Sequence, residues 1–139
     1  MTADPPPMIR LEGISKSFGT VQANRDITLD IHGGRVKALL GENGAGKSTL
    51  MSILAGRYQP DRGLIRVDGR EVRFNSAKDA IRAGIGMVYQ HFMLVEPFTV
   101  TQNVILGRET TKMMGILDLD TAEKKVAEIS ERYGLAINP

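Results

Sequence analysis

Apolar and polar positions alternate in two early runs of the chain. Ile9 and Leu11 alternate with Met8, Arg10 and Glu12, and Ile27, Leu29 and Ile31 alternate with polar neighbours. A period of two predicts half-buried strands over about 8–11 and 21–31. Gly33-Gly34 predicts a hairpin-type turn into Val36-Lys37-Ala38-Leu39-Leu40, a short continuous apolar run of the kind that forms a buried strand. The period then lengthens. Leu50, Ile53 and Leu54 lie at helical spacing after Lys47, and Gly56 suits the left-handed residue that closes a helix. Two further runs, Leu64–Val67 and Glu71–Phe74, flank Asp68-Gly69-Arg70 and predict a tight hairpin. Ser76 is a candidate cap for a short helix to about Ala83, with Ala77, Ala80 and Ile81 on one face. Ile85 to Tyr89 reads as a second core strand, parallel to 36–40. Beyond it, Thr99 or Thr101 caps a helix through Leu106 that Gly107 closes, and Glu109 to Gly115 is a linker. Asp120 or Thr121 then caps a last helix to Tyr133, with Ala122, Val126, Ile129 and Tyr133 on one stripe. Strand, helix and strand in this order predict an α/β fold with parallel core strands beside an antiparallel sheet.

Composition narrows the function classes. The 139 residues suffice for one domain with a core, and 42% hydrophobic with 24% charged residues matches a soluble globular protein. A net charge of +2 without a block of like charge gives no electrostatic support for a nucleic-acid or membrane surface. No run approaches the length of a membrane span. Residues 1–7, with three prolines and Asp4, read as a disordered or extended lead-in and not as a secretory signal. With no cysteine, disulfides and thiolate metal sites drop out.

The chemistry concentrates between the first core run and the helix after it, in Gly41-Glu42-Asn43-Gly44-Ala45-Gly46-Lys47-Ser48-Thr49. Glycine, four residues, glycine, lysine and a hydroxyl form a phosphate-binding loop. Gly41, Gly44 and Gly46 let the backbone adopt left-handed conformations, so that the N–H groups of Glu42, Asn43 and Ala45 and their neighbours converge on an anion. The following helix adds its first-turn N–H groups and the positive end of its dipole. Lys47 reaches the β- and γ-phosphates, the Ser48 hydroxyl holds a Mg²⁺ that keeps most of its waters, and Thr49 donates to the α-phosphate. The alternative is a glycine-rich turn with a surface lysine.

Other candidates rest on position. Phe18 is either a platform for a nucleotide base or an ordinary half-buried ring. Gln90, at the end of the second core strand, either approaches the metal and the attacking water or faces solvent. The apolar groups of Phe92, Met93, Leu94, Val95 and Phe98 fall in an expected loop, which either covers the core or awaits another protein. His32 and His91 are isolated and read as structural, and the dispersed methionines read as core filling.

With these residues in place, Met8 to about Gly107 resembles the first part of the ATP-binding subunit of ABC transporters. The phosphate loop is similar to the family's Walker A motif. Phe18 falls where the family places its adenine-stacking aromatic, and Gln90 where it places the Q-loop glutamine that meets the metal. The stretch 87–95 most resembles the branch importing simple sugars or nucleosides, whose subunits often fuse two ATPase halves. The resemblance implies a P-loop NTPase core over 8–90 with an antiparallel subdomain, and the start of a helical subdomain over 91–139. It implies ATP and Mg²⁺ as cofactors, and as partners transmembrane permease subunits, a second ATPase domain and, indirectly, a solute-binding protein. The implied place is the cytoplasmic face of the membrane, with no nucleic acid bound. In the family a serine-glycine-glycine signature and an apolar strand ending in Asp-Glu come next. Neither is found here, and Ile116-Leu117-Asp118 lacks the preceding apolar residues and adjoins a helix cap. The expectation is an N-terminal fragment of a transport ATPase that binds nucleotide without hydrolysing it. A soluble ABC ATPase of translation or DNA repair, and another phosphate-loop enzyme such as a GTPase or small-molecule kinase, are the alternatives. No Asn-Lys-x-Asp guanine-reading motif supports a GTPase.

Overall fold

Two residues, Gly19-Thr20, turn the chain between strands β1 (Ile9–Phe18) and β2 (Val21–Ile31), which pair antiparallel from Phe18 opposite Val21 to Ile9 opposite Ile31. The computed structural model describes residues 5–91, 93–112 and 115–139. The other edge of β1 pairs antiparallel with β3 (Arg62–Val67), which returns as β4 (Arg70–Val72), giving the order β2-β1-β3-β4. Asp68 and Gly69, with φ of 49° and 75°, make the left-handed two-residue turn that matches the twist of a hairpin.

β1 runs seven residues beyond its predicted end, through an irregularity that hides its pattern. Leu11 faces Leu29 and Ile14 faces Ile27, so three steps on β1 span two on β2. Gly13 supplies the extra residue at φ 62°. In a regular strand Leu11 and Ile14 would point to opposite faces. The bulge turns both into the core, where each is fully buried.

Helix α1 (Lys47–Leu54) lays Leu50, Ile53 and Leu54 into the same core, with Ile65, Phe74 and Ala80 completing it. Ala55 and Gly56 close α1, and Gly56 takes the left-handed φ of 71° expected of it. α2 (Ala77–Arg82) begins after Ser76, as predicted, but the Asp79 carboxylate accepts from the Asn75 N–H and the Ser76 hydroxyl in place of a Ser76 cap bond. Only Ala80 of its predicted apolar face is buried; Ala77 and Ile81 are exposed.

Neither predicted core strand forms. Residues 36–40 and 85–89 take no strand pairing, and Val36 is fully exposed and Leu40 90% exposed. Extended backbone becomes a strand only where a neighbour accepts its N–H and C=O groups, and parallel strands also need both faces covered. Met51 packs against the core, whereas Met8, Met87 and Met93 are exposed, so core filling does not describe the methionines.

The chain divides into a first unit reaching to Val88 and a second, Tyr89–Pro139. The second holds α3 (Val100–Ile105) and α4 (Leu119–Tyr133). Thr99 caps α3 with a full capping box, its side chain accepting from Gln102 N–H while Gln102 accepts from Thr99 N–H. The cap of α4 is Asp118, ahead of the predicted Asp120 or Thr121, because its carboxylate accepts from both the N–H and the hydroxyl of Thr121. α4 buries Ala122, Val126 and Ser130, one residue every four, while Ile129 and Tyr133 are exposed. Ser130 closes the helix end by accepting from Ile137 N–H at 2.9 Å. Where a linker is predicted, Thr111 bridges Leu117 and Lys112 N–H donates to the Ile116 carbonyl at 2.7 Å.

Candidate functional site

The glycine-rich stretch forms an irregular loop that ends as the first turn of α1 begins. Gly44 and Gly46 have φ of 83° and 80°, conformations that side chains disfavour. At Gly46 packing adds a second constraint, since a Cβ would stand 2.1 Å from the Ala23 carbonyl oxygen on β2. The loop is therefore pressed directly onto that strand. Asn24, the next residue of β2, donates from Nδ2 to the Gly46 carbonyl at 3.2 Å. Inside the loop Ala45 N–H donates to the Glu42 carbonyl at 3.2 Å.

Lys47 folds back over the loop and donates from Nζ to the carbonyls of Gly41 at 2.6 Å and Glu42 at 2.7 Å. An ammonium carries three N–H bonds, so two hold it in place and one remains for an anion. The next residues, Ser48 and Thr49, carry hydroxyls on the first turn, where α1 leaves its N–H groups without intrahelical acceptors. No acidic side chain occupies this turn to compete for the positive end of the helix. Amides, one cation and two hydroxyls thus lie within nine consecutive residues, a set suited to phosphate oxygens.

Phe18 ends β1 opposite Val21, and the loop touches the same hairpin at Ala23 and Asn24. At roughly 3.3 Å per strand residue, that offset is on the order of 7–10 Å, the scale of a nucleoside attached to its phosphates. The ring is 43% exposed. Tyr58 meets it edge to face at 5.2 Å, and Lys16 Nζ lies 5.6 Å from its centroid. Asp61 secures the strand just before it, accepting from Lys16 Nζ and Ser17 N–H, both at 2.7 Å. Those two hydrogen bonds, led by Lys16, hold the Asp61 carboxyl below the ordinary aspartate value.

In the second unit Gln90 is exposed at a bend. Of the apolar residues after it, Phe92 lies outside the described residues, and Met93 and Leu94 are 94% and 72% exposed, so they cover no core. Asn103 shapes the approach to α3: its carboxamide accepts from Val95 N–H and donates to the carbonyls of Val95, Phe98 and Thr99. Asp118 is engaged as a helix cap and by Lys112 at 3.2 Å, a structural role consistent with setting aside Ile116-Leu117-Asp118 as a metal-binding strand. Sequence reasoning missed Asn24, Tyr58, Asp61 and Asn103. The one signal available was an asparagine inside an apolar-periodic strand, a residue that strands disfavour.

The family model described as ABC transporter matches residues 24–137. A nucleoside import ATP-binding protein, NupA, of Lactococcus lactis subsp. cremoris (strain MG1363) is 52% identical over 132 residues, which cover 95% of this chain and 26% of that protein. The guanosine import ATP-binding protein NupO of Bacillus subtilis (strain 168) is 53% identical over the same span and coverage. Among solved structures, a nucleotide-free ATP-binding cassette from an ABC transporter aligns with a TM-score of 0.67 at 25% identity, covering 85% of this chain and 46% of its own. The chain spans about a quarter of the length of these curated relatives.

Proposed function

The chain belongs to the ABC transporter family, and from that premise we propose that it is the nucleotide-gripping part of an ATPase that powers import of a nucleoside or simple sugar. The observation that carries the reading is the loop itself: two left-handed glycines, a lysine ammonium tied to the carbonyls of Gly41 and Glu42, and two hydroxyls on the helix after it. In this reading the main-chain amides of residues 42–49 and Lys47 bind the β- and γ-phosphates. Thr49 meets the α-phosphate, and Phe18, steadied by Tyr58, stacks on the base.

The site also fits Mg²⁺. That ion prefers oxygen ligands and retains several waters, so it is held by one or two protein oxygens together with phosphates. Ser48 offers such an oxygen on the first turn of α1, and the described residues hold no cluster of three acidic or histidine side chains that would suit a different, all-protein site. Ser48 would hold the ion, which would supply charge neutralisation on the terminal phosphates. Lys47 and the amides contribute the same service from the protein side, with no covalent chemistry asked of them.

Coupling to transport requires permease subunits in the membrane, a second ATPase domain, fused or separate, and a solute-binding protein upstream. No described helix is long and apolar enough to cross a membrane, and we place the protein at the cytoplasmic face as a peripheral subunit. The exposed Met93, Leu94 and Phe98 supply apolar surface for that membrane partner.

Titration with Mg-ATP tests the site. The chain should bind, and Lys47→Ala should weaken binding by about tenfold or more, as expected for a charge-assisted hydrogen bond. Equal affinity of the two would overturn the assignment.

A further inference from the structure

We infer that Asn24 is a positioning residue for the phosphate loop: from beneath, its carboxamide fixes the peptide that aims the Lys47 N–H at the nucleotide. This rests on the nucleotide-binding reading and assigns a role to a residue outside the motif.

Asn24 is only 5% exposed, in a strand whose later inward positions are Ile27, Leu29 and Ile31. Its Nδ2 donates to the Gly46 carbonyl at 3.2 Å, and the same oxygen accepts from Leu50 N–H at 3.0 Å. A carbonyl has two lone pairs, and both are taken. The Gly46–Lys47 peptide is planar and trans, so the Lys47 N–H points away from the braced oxygen. With the carbonyl held by the strand on one side and the helix on the other, the amide cannot rotate out of the loop. The fit has no slack, since a Cβ on Gly46 would lie 2.7 Å from Asn24 Nδ2.

The orientation of the carboxamide is forced as well. Reversed, it would set Oδ1 against the Gly46 oxygen, acceptor facing acceptor. In the required orientation Oδ1 is buried with no hydrogen-bond partner among the described residues. A buried acceptor left unpaired destabilises a fold, and an apolar side chain of similar size would remove that penalty. Residue 24 is therefore poorly chosen for stability and well chosen for holding the loop. The two roles separate in one variant.

The full chain and its Asn24→Leu variant are compared by thermal melting and by titration with Mg-ATP and with inorganic pyrophosphate. We expect Asn24→Leu to melt at the same or a higher temperature while its affinity for both ligands falls by about three- to tenfold, the worth of one neutral hydrogen bond. The Lys47 amide resonance should also shift less on adding pyrophosphate, a change that loss of general stability would not produce. Should leucine prevent folding, Asn24→Val, an apolar and good strand former that cannot bond the carbonyl, carries the same expectation. A folded variant with undiminished pyrophosphate affinity overturns the inference. If Lys47→Ala abolishes binding while Asn24→Leu retains it, only this inference falls. If the unaltered chain binds neither ligand, the nucleotide-binding reading falls first.

Discussion

The four-stranded sheet and the two apolar runs at 36–40 and 85–88 lie in the same unit, have similar hydrophobic content and end differently. β1 is paired along both edges, and its Leu11 and Ile14 are fully buried. Val36, Leu40 and Val88 stand exposed on backbone that takes no strand partner among the described residues. The contrast comes from connection length. β1 and β2, and β3 and β4, are each joined by two residues, so every strand has one partner that arrives with little loss of chain entropy, and the β1–β3 pairing, closed over a long loop, is held by the core that Leu11, Ile14 and Ile65 share. A parallel neighbour comes only through a long crossover and must be covered on both faces. Apolar residues at strand spacing select an extended backbone; whether that backbone becomes a strand is decided by what lies beside it.

Truncating the core breaks or upholds this contrast most directly. Ile14→Ala and Ile53→Ala should each lower stability by about 2–5 kcal/mol, because both side chains are enclosed by the sheet, α1 and α2. Val36→Thr and Leu40→Thr should stay within about 0.5 kcal/mol, as expected for exposed positions. Denaturant midpoints read the difference. Comparable losses at Leu40 and Ile14 would mean that the run is buried in solution and the contrast is false.

Two glycines sharpen the point at smaller amplitude. Gly63 sits where β3 crosses the β1 bulge at φ 89°, and a Cβ there would meet the Glu12 carbonyl oxygen at 2.4 Å. Gly63→Ala should cost roughly 1–3 kcal/mol from backbone strain and crowding. Gly86 lies within the unpaired run, with nothing within 4 Å of its would-be Cβ. Gly86→Ala should be neutral or stabilise by about 0.4–1 kcal/mol through the unfolded chain. A large loss at Gly86 in the same melting series would show that the run packs more tightly than its exposure indicates.

Legibility in the sequence divides along the same line between local and distant causes. β2, the Asp68-Gly69 turn, the α1 end at Gly56 and the Thr99 cap are legible because neighbouring residues determine each of them. The pattern of β1 stops at Leu11 because the bulge at Gly13 breaks the alternation that marks a strand. Asp118 is hidden as a cap because Asp120 and Thr121 offer the same chemistry two residues on, and only the pairing of Lys112 with Ile116 selects among them. Ser130 escapes the α4 stripe because its burial depends on the returning chain at Ile137. The phosphate loop is legible as a motif, whereas Asn24 beneath it is not, since its role arises from a strand more than twenty residues away in sequence. The two core strands are overread because periodicity reports a preference of the segment and is silent about its neighbour.

The smallest effect lies at the open end of the paired region. Asp61 joins β1 to the approach of β3, accepting from Lys16 Nζ and Ser17 N–H while its own N–H donates to the Ser15 carbonyl at 2.8 Å. The side-chain bond from Lys16, then that from Ser17, holds the Asp61 pKa below its unfolded value. A carboxyl depressed on folding contributes stability that is present above the unfolded pKa of about 3.9 and is lost as pH falls through the folded value. The group is exposed and the ion pair screened, so the contribution is modest. Melting temperature measured from about pH 6 downward should therefore decline less steeply for Asp61→Asn than for the unaltered chain below roughly pH 4. The loss should centre on the Phe18 end of the hairpin, with Ser17 N–H exchanging faster in acid while 36–40, which has no such clip, is unchanged. Identical acid profiles for the two proteins would mean that backbone pairing alone holds this end of the sheet, leaving Phe18 to be steadied by Tyr58 without help from Asp61.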